Sequence, residues 1–94
     1  MAAYLLALRE RLKDPAEMEQ YSKKARAADA SKLKALALYG KIETLEGEAF
    51  DGCVLMEFPT VEDAKAWYHS PEYQAAKPHR LKGADYRFLI VQGL

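Results

Sequence analysis

Apolar residues in this chain fall into short unbroken runs and into stretches spaced at three and four residues. Tyr4-Leu5-Leu6-Ala7-Leu8 is a run, followed by outward charges, and predicts a strand over Tyr4–Leu12. Asp14-Pro15-Ala16-Glu17 is a helix start. Asp14 suits the N-cap, Pro15 the first helical position, and Glu17 a capping box. Met18, Tyr21, Ala25 and Ala28 then recur on one stripe, which predicts a helix from Pro15 to Lys34. Leu36–Leu45 reads as a second strand, with Gly40 as a bulge or close backbone approach. Turn residues Phe50-Asp51-Gly52 lead into a third strand, Cys53–Phe58, and the spacing suits a hairpin with a modest loop.

Pro59 stops that strand and Thr60 is an N-cap, with Glu62 and Asp63 in the first turn where the helix dipole favours them. Ser70-Pro71 repeats the start signal. A residue before proline avoids the α region, so the first of these helices should end near His69. A further short turn is expected after Pro78, and Tyr86–Gln92 is the last strand. The order β-α-β-β-α-β is the ferredoxin-like arrangement, an α+β fold with a four-stranded antiparallel sheet and helices on one face. At this length, residues 1–94 are expected to make a single domain.

The strands do not alternate. Leu5 to Leu8, Cys53 to Met56 and Phe88 to Val91 are consecutive apolar residues, so both faces of the sheet carry apolar side chains. Helices cover only one face. A monomer would leave the other bare, which soluble monomers rarely do. The expected partner is a second copy, packed sheet against sheet as a homodimer.

Charge narrows the function classes. Lys plus Arg is 14 and Asp plus Glu is 14, a net charge of zero. The clusters Lys23-Lys24-Arg26 and Lys77-His79-Arg80-Lys82 lack a phosphate-binding glycine loop and interleaved aromatics, so no nucleic-acid partner is expected. Cys53 is the one cysteine, and it sits in an apolar run; a buried, inert thiol is expected, and no internal disulfide can form. No window approaches the roughly 18 apolar residues of a membrane span. The apolar opening meets Arg9-Glu10-Arg11 too soon for a signal peptide, so a cytoplasmic protein with no membrane partner is expected.

The densest chemistry lies in Phe58–Arg80, which holds Trp67, Tyr68, Tyr73, His69 and His79. Most of it reads as architecture: Ser70 as a helix cap, and Trp67, Tyr68 and Tyr73 as packing. His69 and His79 match no zinc spacing, so no metal and no cofactor are expected, although either is a candidate general base. Arg80 suits either an ion pair with Glu46 or Glu57, or the anchoring of a ligand.

The stretch F-P-x-x-x-x-A-x-x-W-Y-x-S-x-E-Y, here Phe58 to Tyr73, resembles the DUF1330 family. So do Arg80, Ala84-Asp85, Gly93, the Asp14-Pro15 helix start with Tyr21, and Leu45-Glu46-Gly47. The resemblance spans nearly the whole chain and implies a small bacterial protein of dimeric α+β barrel type. It implies no reaction. Family members often carry Arg-Gly-Gly in the second strand; this chain has Leu38-Tyr39-Gly40 there, without the positive charge.

Three functions remain open. One is a dimer binding a small aromatic or apolar-acidic metabolite between helix and sheet, lined by Tyr21, Tyr39, Trp67 and Arg80. Another is a cofactor-free enzyme of isomerase, lyase or monooxygenase type, using Glu57, His69 or His79. The third is a dimeric structural module with no ligand.

Overall fold

In the computed structural model, which describes residues 1–94, the first apolar run forms strand β1 (Ala3–Leu12). Helix α1 (Pro15–Ala25), β2 (Lys34–Leu38), β3 (Gly52–Phe58), α2 (Val61–Tyr68), α3 (Pro71–Gly83) and β4 (Ala84–Gln92) follow. The strands form one antiparallel sheet in the order β2-β3-β1-β4, with the two longest pairings on either side of β1. This is the ferredoxin-like α+β fold.

The helix starts follow the sequence, except that Glu17 closes no capping box: its carboxylate pairs with His79, and the Asp14 N–H donates instead to the Gly83 carbonyl. Asp14 accepts from the N–H groups of Ala16 and Glu17 at 3.0 and 3.4 Å. Thr60 Oγ1 accepts from Asp63 N–H at 3.0 Å, and Ser70 Oγ from Tyr73 N–H at 3.2 Å. Each cap satisfies donors that the first helical turn leaves unpaired.

Several ends differ from expectation. Helix α1 stops at Ala25 rather than Lys34. Beyond it the Asp29 carboxylate accepts from Ser31 N–H at 2.9 Å, a local bond that competes with helix continuation. Strand β2 stops at Leu38 because Tyr39 turns to φ 54°, the left-handed region. Residues 39–51 therefore form a longer connection than a modest hairpin loop. The irregularity in β2 lies between Ala35 and Ala37, not at Gly40, where the space around the backbone is open. Pro78 makes no new turn: α3 runs through it. An interior proline costs roughly 3 kcal/mol. Tyr73, Ala76, Arg80 and Gly83, buried on the same helix, supply packing that offsets this cost.

The core lies between sheet and helices. Leu5 and Ala7 of β1, Val54, Met56 and Phe58 of β3, and Ala64 of α2 form it, with Phe88 and Ile90 of β4 packed alongside. On the opposite face, Leu6 stands between Leu55 and Leu89 in register, and Leu55 pairs with Ala37. An apolar row thus crosses all four strands on the face without helices. Cys53 lies on that outer face and is half-buried rather than sealed in the core.

Helix α1 decides where a site can form. It buries no residue of its own and packs along α3, with little contact to the sheet. Its stripe, Met18, Tyr21 and Ala25, is only half covered. Between that stripe and the sheet an opening remains.

Candidate functional site

The opening is a cleft of ≈ 310 Å³. Its floor is Ala7, Val54 and Met56, contributed by the two central strands. Its walls are aromatic: Tyr21 from α1, Tyr39 from the end of β2, Trp67 from α2, and Tyr86 and Phe88 from β4. Ser22 and Arg26 of α1 stand at its edge. Strand alternation places Tyr86 and Phe88 on the helix face, and the three-to-four spacing of α1 turns Tyr21 and Ala25 towards them. The volume is at the small end of ligand pockets, about 300–1,000 Å³, and suits a molecule with one ring.

The tyrosines are fixed by one another. Tyr39 and Tyr86 share a hydrogen bond of 2.5 Å between hydroxyls, while the Arg9 guanidinium lies 5.0 Å from the Tyr39 ring centre. Tyr21 and Tyr73 share another of 2.8 Å, with their rings edge to face at 5.9 Å. Tyr73 is fully buried and packs 4.4 Å from Trp67 and 5.2 Å from Tyr68, centre to centre. Burial pushes the phenols of Tyr21, Tyr73 and Tyr86 above the ordinary tyrosine value of 10.0, so all three stay protonated at neutral pH.

Arg80 lies one side-chain layer beneath this wall. It is 5% exposed, and its guanidinium carbon sits 4.0 Å from the ring centre of Phe88 and 5.7 Å from that of Tyr86. Its Nε is buried without a hydrogen-bond partner. It takes part in none of the ion pairs of the fold, and Glu46 and Glu57 do not reach it. Desolvating such an ion costs several kcal/mol. A dry cation–π contact returns about 2 kcal/mol, and a place in the last turn of a helix about 0.3–1 kcal/mol. The charge is left under-compensated.

Of the residues expected at a site, Tyr21, Tyr39 and Trp67 meet in the cleft, and Arg80 adjoins it. The other three do not. Glu57 sits on β3 between inward-facing Met56 and Phe58, and so points to the outer face. His69 caps α2 and borders a separate hollow with Leu89 and Ile90. His79 pairs with Glu17, Nδ1 to Oε2 at 2.7 Å, and ties α3 to α1. Sequence reasoning missed Tyr86 and Phe88 as lining residues. Their alternate spacing in the last strand was the available signal.

Trp67 also borders a smaller hollow of ≈ 200 Å³ with Asp29, Asp63 and Glu72. There Lys32 pairs with Asp63 at 3.1 Å and, together with the Thr60 hydroxyl donating to the same carboxyl, holds it below its usual range. No three His, Cys, Asp or Glu side chains converge to hold a metal ion. No helix is long and apolar enough to cross a membrane.

The sequence pattern of DUF1330, a domain of unknown function, matches residues 2–94. No functionally curated protein matches the chain. Solved structures do. The RPA0582 protein of Rhodopseudomonas palustris, of unknown function, is 24% identical with a TM-score of 0.65, covering 99% of this chain and 82% of that one. A dimeric ferredoxin-like protein of unknown function from Thermobifida fusca YX is 20% identical with a TM-score of 0.66, covering 99% and 92%. An ethyl tert-butyl ether D (EthD) family protein from Bacillus halodurans C-125 is 17% identical with a TM-score of 0.66, covering 100% of both. At these identities the likeness establishes the fold.

Proposed function

The chain belongs to the DUF1330 family, and we propose that it is a homodimer that binds a small aromatic or apolar molecule in the cleft between α1 and the sheet. The observation that carries this is the cleft itself: ≈ 310 Å³, walled by Tyr21, Tyr39, Trp67, Tyr86 and Phe88. Rings on several sides offer a flat apolar molecule stacking and edge contacts. Hydroxyls at the rim offer it hydrogen bonds. An open cleft with a mostly apolar, aromatic lining and a few polar groups is the usual form of a small-molecule site.

Self-association follows from the outer face of the sheet. Leu89, Leu6 and Leu55 form a continuous row there, with Leu89 and Val91 of β4 40% and 46% exposed. The Thermobifida fusca relative is described as dimeric, which supports self-association here. Covering this face with a second copy removes the exposed apolar patch.

Binding rather than turnover is the reading favoured. Glu57, His69 and His79, the groups a cofactor-free enzyme would use as bases, open away from the cleft. Burial holds the phenols of Tyr21 and Tyr86, which face it, in the protonated form.

Trp67 is the single tryptophan, so its fluorescence reports on the cleft directly. Titration with one-ring probes such as phenol and phenylacetate is expected to shift or quench the Trp67 emission saturably and to raise the melting temperature. Neither change with any one-ring probe at millimolar concentration overturns the binding reading.

A further inference from the structure

We propose that the ligand of this cleft is an aromatic monocarboxylate whose anionic group is received by Arg80. The inference rests on the cleft being a binding site and adds the charge of what it takes.

Three observations converge. Arg80 is 95% buried (5% exposed), with an Nε that has no partner. No carboxylate of the chain pairs with it. Its guanidinium is stacked on Phe88 and Tyr86, and both of those rings line the cleft. The hydroxyls of Tyr21 and Tyr73 share one hydrogen bond, which leaves one O–H of the pair free to donate to an oxyanion on the same side of the fold. A buried cation with an unfilled donor beside an apolar cleft matches a ligand that is apolar for most of its length and anionic at one end. The planar fork of arginine fits the two oxygens of a carboxylate.

One charge is expected, not two. Arg9 is engaged by Asp51, which leaves Arg80 as the cation beneath the aromatic wall. A dianion such as a phosphate monoester would bring a second charge into an apolar site whose one further cation, Arg26, stands at the exposed edge rather than beside Arg80. The ring of the acid lies among Tyr39, Trp67 and Tyr86, and its carboxylate enters between Tyr21 and Tyr86 to reach the guanidinium.

The test compares an acid with its neutral isostere. Phenylacetate and phenylacetamide are titrated against the wild-type protein, against Arg80→Met and against Arg80→Lys, following Trp67 emission. Phenylacetate is expected to bind the wild type at least ~10-fold tighter than the amide, as charge-assisted hydrogen bonds are about twice as strong as neutral ones. Arg80→Met is expected to erase that preference while leaving the amide affinity within about 2-fold, and to melt no lower than the wild type without ligand, because it removes an unpaired buried charge. Arg80→Lys, which keeps the charge and loses the fork, is expected to fall between. Equal binding of acid and amide to the wild type overturns the inference and leaves the cleft a neutral-ligand site. Binding of neither overturns the reading of the cleft, and this inference with it. An Arg80→Met protein that melts lower and keeps the acid preference makes Arg80 structural and overturns the inference alone. Phenyl phosphate binding tighter than phenylacetate overturns the assignment of a single charge.

Discussion

The hydroxyl of Tyr21 on α1 lies 2.8 Å from that of Tyr73 on α3, and this bond joins the wall of the cleft to the aromatic cluster behind it. Tyr73 is fully buried, so its hydroxyl has no solvent to turn to. Tyr21→Phe is expected to leave that hydroxyl unpaired and to destabilise the fold by about 1–3 kcal/mol. Adding Tyr73→Phe removes the orphan and should recover part of the loss. Urea unfolding of the two single variants and the double variant measures the coupling. Independent, additive effects would show that the hydroxyls do not interact.

The same pair sets a response to alkali. Burial raises both phenols above their ordinary value, so the folded protein holds these protons more tightly than the unfolded chain does. The stability they contribute is fully present below about pH 10 and declines as pH rises further, because the unfolded tyrosines release protons that the folded ones keep. Urea midpoints between about pH 9 and pH 11 are expected to fall in the wild type, and to fall less steeply in Tyr21→Phe. Equal slopes would mean that other groups govern alkaline unfolding.

The parts of this fold that were legible in the sequence are those set by local chemistry. Asp14, Thr60 and Ser70 each cap the helix expected of them, because a cap needs only its own turn. The succession of strands and helices was legible from the same local signals. Most of what could not be read depends on distant neighbours. The left-handed Tyr39 is held by Arg9 and Tyr86, far away in the chain, whereas the early end of α1 goes with a local Asp29–Ser31 bond that the helix-favouring alanines before it masked. Pro78 looked like a stop by its missing N–H; packing of residues on either side of it overrode that signal. Tyr21, Tyr39 and Trp67 were picked out as aromatics beside a sheet, and they meet in the cleft. His69, His79 and Glu57 were weighed by type alone, and their direction is a tertiary property.

Leu6 is the natural point at which to test the bare face. It stands between Leu55 and Leu89 and points away from the core, so Leu6→Glu should leave the fold of one chain intact. In a face-to-face dimer it buries an unpaired carboxylate from each copy, at a cost of several kcal/mol. A rise of at least ~100-fold in the dimer dissociation constant is expected by sedimentation. A wild-type protein that sediments as a monomer would remove the face-to-face arrangement altogether.

Gly83 governs how closely α1 is drawn to α3. A Cβ built there would lie 2.8 Å from both Cγ and Sδ of Met18 and 3.1 Å from the Met18 backbone nitrogen. The thioether can move aside; the backbone nitrogen can yield only if the helix shifts. The Gly83 carbonyl also accepts from the N–H groups of Lys13 and Asp14 at 2.8 and 2.9 Å, which fixes the start of α1 against the end of α3. Gly83→Ala is therefore expected to destabilise the protein by about 1–3 kcal/mol, as overpacking of close contacts does. It should also displace Tyr21 with its helix and weaken one-ring probes in the Trp67 titration. Gly40→Ala is the matched control, since nothing lies within 4 Å of a Cβ there, and both stability and binding should stay at wild-type values. If Gly83→Ala loses stability but binds as the wild type does, the position of α1 does not shape the cleft, and the wall formed by β4 and α2 must carry the binding alone.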